Sequence, residues 1–314
     1  MKFKYSVLIS FFLSISACGG GGSGGSGSVS SPAPNVTITT TNGTQVAADA
    51  GSGDSITSGA TAGISPLSVS QPTQNAIKLT ELTQQLLHLG HDQQLQVQTV
   101  TTCSGGGTVM TPDNPSATSG TVTFSNCGFL PGLTIDGSMT FSKSGDKNNY
   151  SASVSYSNFT ITNGVTVSTV NASMTITGSY TAPVETVSVS IPNFDLTVNS
   201  DYIRLYNFSS TGTTNSTTSE YTLSWDYTYD SSFINGAVHV ATEQQLQGYS
   251  YNSYPNTGSV VVTGVNNSHV RCSTNGLGQD TDLVMIEIDA DGDGVYEYMT
   301  TMSWTQFDTL KSAL

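Results

Sequence analysis

The part of this sequence best suited to chemistry is an acidic stretch close to the C-terminus. Seven acidic residues, and no lysine or arginine, fall within residues 280–297. Inside this stretch Asp289, Asp291 and Asp293 occupy alternate positions and are followed by Gly294. Carboxylates at this spacing can surround a hard cation, and their mutual repulsion favours binding one. Aspartate and glycine are also the residues that a tight, solvated turn requires, so both interpretations stay open.

The same spacing resembles the opening of an EF-hand calcium loop, in which oxygens at the first, third and fifth positions surround the ion. It departs from that pattern at the twelfth position, where Thr300 replaces a bidentate glutamate. The flanking residues 283–288 and 295–299 are also typical of strands rather than helices. The alternative to a solvated turn is therefore a calcium-binding β-hairpin with a possible structural calcium ion. The candidate ligands are Asp289, Asp291, Asp293 and Glu297, and no other cofactor is expected.

The first eighteen residues are typical of an export signal. Two lysines precede an apolar run over residues 5–15, which is too short to cross a membrane. The run leads into Ser16-Ala17-Cys18, which resembles the lipobox of bacterial lipoproteins. The resemblance implies that residues 1–17 are a signal peptide, that Cys18 carries a diacylglyceryl group and an acyl chain, and that Gly19 directs the protein to the outer membrane. The alternative is an ordinary signal peptide with an unmodified cysteine.

Beyond Cys18, composition divides the chain into a linker and a domain. Residues 18–74 are rich in Gly, Ser, Thr, Ala and Pro without a sustained apolar period, so we expect a disordered tether about 40 Å long on average. Residues 75–90 are expected to form a helix, because leucines recur there at three- and four-residue steps. Residues 75–314 would then form one domain with this leading helix.

From residue 97 onward the sequence repeats a unit of two strands. Residues 122–127 return at 154–159 and at 189–194, and a companion segment at 136–141 returns at 171–176. Apolar residues alternate with Ser or Thr in these segments, which predicts antiparallel strands with one buried face. So many twisted strands must curl or split. We expect a mainly β fold: a large, curled antiparallel β-meander, as a half-barrel around the N-terminal helix, a sandwich or a closed barrel.

The cysteines predict one disulfide in an exported chain. A hairpin centred near residue 115 would place Cys103 opposite Cys127. We therefore expect these two to be bonded, with a stabilisation of about 3 kcal/mol in the chain-entropy model. Cys272 is then expected to be a buried free thiol.

The last sixty residues and the lipobox together resemble a group of uncharacterised proteobacterial outer-membrane lipoproteins. The resemblance lies in the strand-like residues 258–271, the acidic Asp/Gly hairpin and the segment Thr301-Met302-Ser303-Trp304, in a chain that also carries β-meander repeats. It implies a fold and a location, but no activity.

Charge and motifs narrow the possible functions. A net charge of −14 argues against binding nucleic acid. Outside the Gly/Ser tract that follows Cys18, the chain has no Gly-x-Ser-x-Gly elbow, and it has no His-Glu-x-x-His and no phosphate-binding glycine loop. Our first hypothesis is a non-enzymatic binding or structural β-domain, lipid-anchored at the outer membrane, with an unknown protein or lipid partner. The alternatives are a periplasmic carrier of lipid or another hydrophobic ligand and, third, a polysaccharide-acting enzyme using Asp226 or Asp230.

Overall fold

The part of the chain that the structure describes folds into a single antiparallel sheet of fourteen strands, whose order in the sheet is their order in the chain. The computed structural model describes residues 30–58, 99–103, 105–111, 118–130, 133–146, 148–250, 252, 254–274 and 283–310. The strands are β1 Thr99–Thr102, β2 Thr108–Thr111, β3 Ser119–Leu130, β4 Leu133–Gly145, β5 Asn149–Asn163, β6 Thr166–Thr181, β7 Val184–Val198, β8 Asp201–Asn215, β9 Glu220–Ser231, β10 Gly236–Tyr249, β11 Thr257–Thr263, β12 His269–Ser273, β13 Leu283–Asp289 and β14 Tyr298–Ser303. The described residues also form two α-helices, α1 Gly43–Ser58 and α2 Trp304–Thr309. The predicted antiparallel β-meander is confirmed, as one sheet that ends at β1 and β14 rather than as the two sheets of a sandwich.

Each long strand has one buried face and one polar face. In β6, Val170, Ala172 and Met174 are buried, whereas the residues between them are partly exposed. The buried side chains of successive strands form one continuous apolar core. Its largest fully buried aromatic members are Phe159, Phe208, Tyr227 and Tyr229. The side of the sheet that carries these residues is called the core face below, and the opposite side the outer face.

In several strands, the alternation of core-facing and outward-facing side chains shifts by one residue at an asparagine. In β5, Val154 and Tyr156 lie on the core face, and so does Phe159, on the far side of Asn158. Asn158 has a φ of 47° and Asn126 in β3 has a φ of 48°, and the pairing register skips beside both. A bulge of this kind adds one residue to a strand. It therefore returns the following apolar side chains to the core face.

The repeats in the sequence correspond to these bulges and to the side chains that cap them. The N–H of Asn126 donates to Asp136 Oδ1 at 2.6 Å, and the N–H of Asn158 donates to Asn171 Oδ1 at 2.8 Å. Asp136 and Asn171 are the first residues of the two companion segments. In the third copy the register between β6 and β7 also skips, between Ser190 and Asn193, but Asn193 does not have a positive φ. The repeat therefore marks a bulge in all three copies, and the bulge contains an asparagine with positive φ in the first two.

A further bulge lies in β8, where no repeat signals it. Asn207 has a φ of 52°, and the register between β8 and β9 skips beside it. Leu205 and Phe208, on either side of the bulge, both lie on the core face. Because bulges bend a strand and increase its twist, those in β3, β5 and β8 help to curl the sheet.

The N-terminal segment is part of the domain and not only a linker to it. Residues 30–42, called the arm below, run in an irregular conformation along the sheet before α1 begins. Val36 and Ile38 are buried. Asn35 donates its N–H to the Ala237 carbonyl at 3.0 Å and accepts the Ala237 N–H on its Oδ1 at 2.7 Å. The arm is therefore fixed to the start of β10.

The prediction of a disordered tether over residues 18–74 is wrong for residues 30–58. Helix α1 packs on β10, β11 and β12 through small side chains, and Ala48 and Ala50 have no exposed surface. The buried Tyr227 hydroxyl donates to the Ala50 carbonyl at 2.8 Å. Small residues allow this close approach, although their composition is that of a linker. The helix predicted at residues 75–90 lies outside the described residues.

The predicted disulfide between Cys103 and Cys127 is confirmed, with the two Cα atoms 5.4 Å apart. The backbone around it differs from the expected simple hairpin. Thr108 pairs with Ser125, and this register alone would not place Cys103 opposite Cys127. The chain instead turns back at residues 105–107, where the Cys103 N–H donates to the carbonyl of Gly107 at 3.1 Å. This turn brings Cys103 to β3.

The bulges predict that a β-branched residue lowers the stability of the fold where the asparagine has a positive φ, and not elsewhere in the repeat. Asn158→Val should lower the free energy of unfolding by about 1–2 kcal/mol, because a side chain with a Cβ is strained at positive φ. Asn193→Val, at the same place in the repeat but without positive φ, should have little effect. Urea denaturation of the full chain in a non-ionic detergent measures both variants, and Asn158→Gly should retain the stability of the wild type. Equal losses of stability at Asn158 and Asn193 would show that positive φ is not the reason for the cost at Asn158.

Candidate metal centre

The four carboxylates expected to bind a metal come together in the turn between β13 and β14. Asp289 ends β13 and is fully buried, whereas Asp291, Asp293 and Glu297 are exposed. Each offers one carboxylate oxygen within 4.8 Å of those of the others. This cluster could therefore hold a metal ion.

The carboxylate of Asp289 organises the turn. Its Oδ1 accepts the N–H of Gly292 and its Oδ2 accepts the N–H of Gly294, both at 2.7 Å. Burial alone would raise the pKa of Asp289, but these hydrogen bonds and the nearby His269 hold that pKa below its usual value. The two glycines have φ values of 78° and 89°. Because side chains are strained in that region, glycine is required between and after the aspartates.

The other three carboxylates each accept one backbone N–H of the same turn. Asp291 accepts the N–H of Asp293 at 3.1 Å, and Asp293 accepts the N–H of Val295 at 2.8 Å. Glu297 accepts the N–H of Ala290 at 2.7 Å. An aspartate that bonds the backbone two residues ahead is a standard way to stabilise a turn. These bonds fix the positions of the carboxylates without an ion.

Paired polar side chains on the outer face support the turn. His269 Nδ1 lies 3.6 Å from Asp289 Oδ2, and His269 Nε2 lies 3.4 Å from the Tyr296 hydroxyl. The Tyr296 ring also covers Arg271, with the guanidinium carbon 4.6 Å from the ring centre. Arg271 donates from Nε and Nη2 to the buried Glu287, both at 2.7 Å. Through its contacts with His269 and Arg271, Tyr296 thus packs the acidic turn against β12.

The turn also touches the loop that holds the arm. Gly292 packs so closely on the backbone of Asn266 and Asn267 that a Cβ at this position would overlap it. In the same loop, the Val265 N–H donates to the carbonyl of Val36 in the arm at 2.8 Å. The acidic turn and the arm are therefore held by one short segment between β11 and β12.

The departure from the EF-hand pattern has a structural counterpart. Thr300 belongs to β14 and pairs with Ile286, a core residue, so it is not near the acidic cluster. Glu297 takes part in its place. The flanks are strands, as the sequence predicts, although β14 begins at Tyr298 rather than at residue 295.

Sequence reasoning missed the residues that support the turn. His269 and Arg271 alternate with the buried Val270 in β12, and this alternation signals an outer-face position. Their partners in β13 and the turn follow only from the register between the strands. No local pattern in the sequence carries that information.

The other residues singled out in the sequence either lie outside the described residues or show no sign of reactivity. Cys18 lies outside the described residues, and so do Asp280 and Asp282. Cys272 is a free cysteine, as predicted, but the residue is only partly buried, and desolvation raises the pKa of its thiol to about 12. A thiol with so high a pKa is a poor nucleophile at neutral pH.

Comparisons with known proteins found no match, whether with protein-family models, with curated proteins or with solved structures. Among the helices in the described part of the chain, none is long and apolar enough to cross a membrane. Function is therefore inferred from the residues of this chain alone.

Asp289 should stabilise the fold in a pH-dependent way. A carboxyl whose folded pKa is below its unfolded value, about 3.9, stabilises above that value and loses this contribution as the pH falls through the folded pKa. We predict that Asp289→Asn lowers the free energy of unfolding by about 1–3 kcal/mol at about pH 6. Asparagine has only one side-chain oxygen, so its NH2 group would face one of the two glycine N–H groups, which would lose its acceptor. The difference from wild type should shrink towards about pH 3, as measured by urea denaturation in a chelator.

The exposed neighbour Asp291 supplies the control for this experiment. Asp291→Asn keeps an oxygen that can accept the Asp293 N–H, so this variant should cost less stability than Asp289→Asn. A loss at Asp289 that stays constant over the whole pH range would contradict the role assigned to its charge.

Proposed function

We propose that this chain is a lipid-anchored protein of the bacterial outer membrane, whose β-sheet domain is a non-enzymatic binding or structural module with a structural calcium ion. The observation that carries the calcium assignment is the group of four carboxylates within 4.8 Å. The sequence Ser16-Ala17-Cys18, with its resemblance to a lipobox, supports the anchor.

Calcium suits the acidic cluster because every side chain in it offers a hard oxygen. Calcium accepts about six to eight oxygen ligands in flexible geometry, whereas magnesium demands a near-ideal octahedron and keeps several waters. Zinc and copper favour imidazole or thiolate ligands. Among the described histidines His269 lies nearest to the cluster, but it faces the Asn267 carbonyl at 3.0 Å and the Tyr296 hydroxyl. The described turn thus supplies a calcium-type ligand set.

An ion in this turn would act close to the attachment of the arm. The arm makes its first contact at Ser31, whose hydroxyl donates to Thr228 Oγ1 at 2.8 Å. Residues 19–30 separate this contact from Cys18, and twelve residues span at most roughly 40 Å. A domain anchored in this way would stay near the membrane surface. Calcium would hold the end of the sheet on which the arm is docked.

The packing of the core favours a binding or structural module over a carrier. Phe124 and Phe159 meet edge to face with ring centres 5.5 Å apart, and Phe208 meets Tyr227 at 5.2 Å. A carrier needs an apolar cavity that its ligand can occupy. Large aromatic rings fill this part of the core face instead.

The carboxylates named for an enzyme are already paired on the outer face. Asp230 lies 4.0 Å from Arg204 Nη1, and Asp226 lies 3.4 Å from His239 Nε2. These pairs favour a role in sheet stability, since glycosidase chemistry needs two carboxyl groups facing one scissile bond.

Calcium should raise the melting temperature of the full chain, and the acidic turn should be responsible. The double substitution Asp291→Asn with Asp293→Asn removes two charges but keeps the oxygens that accept the turn N–H groups. For calcium roughly 100-fold above its Kd, ligand linkage gives about 2.7 kcal/mol, or about 5–10 °C for a domain of this size. We expect this shift in the wild type and its loss in the double variant, by differential scanning fluorimetry.

Two controls distinguish calcium binding at the turn from a general effect of removing negative charge on the melting temperature. In chelator the wild type and the double variant should melt together. Asp201→Asn with Asp226→Asn removes two exposed charges far from the turn and should keep the calcium shift. If the wild type does not respond to calcium, or magnesium gives an equal shift, the calcium assignment is wrong.

The lipid anchor predicts a change of compartment. Cys18→Ala should move the protein from the membrane fraction to the soluble periplasmic fraction of a Gram-negative host, because the diacylglyceryl group has no attachment site. Intact mass spectrometry should find the lipid adduct on the wild type only. A wild type that is soluble and carries no adduct would contradict the anchor. Further acyl chains held without a covalent bond would favour the carrier.

A further inference from the structure

The outer face of the central strands carries hydroxyl side chains in register. Cross-strand pairing aligns one row of six hydroxyls across β3 to β8, formed by Ser119, Ser142, Ser153, Thr175, Ser190 and Ser209. A second row crosses β4 to β9 and consists of Ser144, Ser151, Thr177, Ser188, Thr211 and Ser224. A third crosses β6 to β9 and consists of Ser179, Thr186, Thr213 and Thr222. These three rows, which contain no charged residue, are called the hydroxyl face.

The hydroxyl face is ordered and contains a groove. Neighbouring hydroxyls contact each other across the strands, at 3.0 Å between Ser188 and Thr211 and at 2.8 Å between Thr213 and Thr222. A shallow groove of about 420 Å³ lies over the second and third rows. Strands are about 4.8 Å apart, and alternate residues along a strand are about 6.7 Å apart. The surface is therefore a regular array of groups that both donate and accept hydrogen bonds.

At one side, the hydroxyl face adjoins two tyrosines and an arginine. Tyr202, Arg204 and Tyr206 occupy alternate outer-face positions of β8, and all three are partly exposed. This set is called the tyrosine ladder. The Arg204 guanidinium lies 4.4 Å from the centre of the Tyr202 ring. Arg204 also pairs with Asp195 at 3.1 Å and with Asp230 at 4.0 Å, so its charge is compensated.

We propose that the hydroxyl face and the tyrosine ladder bind a neutral polysaccharide chain. This inference rests on the proposed binding function and names the chemical class of its partner. Sugar hydroxyls both donate and accept hydrogen bonds, as the serine and threonine hydroxyls do. The apolar faces of sugar rings pack on aromatic rings, which Tyr202 and Tyr206 offer beside the array.

The charge of the protein selects against anionic polymers. The hydroxyl face offers no cation, and Arg204 is already paired with two aspartates. The chain as a whole carries −14. A phosphate- or carboxylate-rich polymer would be repelled and would find no arginine or lysine cluster to bind. A neutral polymer meets neither obstacle.

Solubility alone does not account for this surface. Any polar side chain solvates an outer face, and proteins most often use charged residues there. Sixteen hydroxyls in three registered rows, a groove among them and two adjacent tyrosines form a specific surface. Thr228 pairs with Tyr206 and accepts the hydrogen bond from Ser31 of the arm. A polymer bound here would therefore lie close to the attachment point of the anchor.

Affinity electrophoresis of the full chain tests this proposal. Native gels would contain dextran, glucomannan or alginate, in a non-ionic detergent that has no sugar headgroup. We expect retardation by dextran or glucomannan and none by alginate. Tyr206→Ala, and separately Ser188→Ala with Thr211→Val, should each weaken binding about tenfold, which corresponds to about 1.4 kcal/mol.

Matched controls lie on β14. Tyr298→Ala and Thr301→Val remove an exposed tyrosine and an exposed threonine outside the hydroxyl face, and should bind like the wild type. Every variant should keep the cooperative melting transition of the wild type in chelator, which establishes folding and keeps this test separate from that of the calcium site. Retardation by alginate alone, no retardation by either neutral polymer, or equal losses in the control variants would each overturn the proposal.

Discussion

The domain depends on one constraint: every strand must keep its apolar side chains on the same face of a single sheet. Because only one face is buried, a shift by one residue would turn the apolar set of a strand towards solvent. Asn126, Asn158 and Asn207 absorb such shifts in β3, β5 and β8. Bulges also bend strands, so the residues that preserve the core face help to curve it. The repeated asparagine therefore meets a requirement of the backbone and is not itself a sign of activity.

The same constraint explains how far the sequence could predict the fold. Long strands with period-two alternation are visible in the sequence, so the antiparallel meander follows from it directly. The arm does not, because Val36 and Ile38 are isolated apolar residues in a segment with the composition of a linker. Their burial depends on the fit of small side chains such as Ala48 and Ala50 against β10 to β12. Packing of this kind leaves no periodic trace.

The candidate metal site likewise has a part that the sequence predicts and a part that it does not. The acidic residues lie close together in the chain, so their spacing alone predicted that Asp289 and Glu297 would meet. The pairing of Arg271 with Glu287 joins two strands and depends on a register that no local pattern specifies. The disulfide between Cys103 and Cys127 falls between these cases. Its partners were predictable, but the turn that brings them together was not.

The arrangement of charge along the outer face bears on whether the two proposed sites influence each other. The tyrosine ladder in β8 and the acidic turn after β13 are five strand spacings apart, which is about 24 Å measured along the sheet. Charges are screened beyond about 8 Å at physiological ionic strength, so a calcium ion would not act on the hydroxyl face through its field. The arm offers a physical connection instead. It contacts Thr228 beside the ladder through Ser31, and it contacts Val265 beside the acidic turn through Val36. Any coupling between the two sites would therefore run through the docking of the arm.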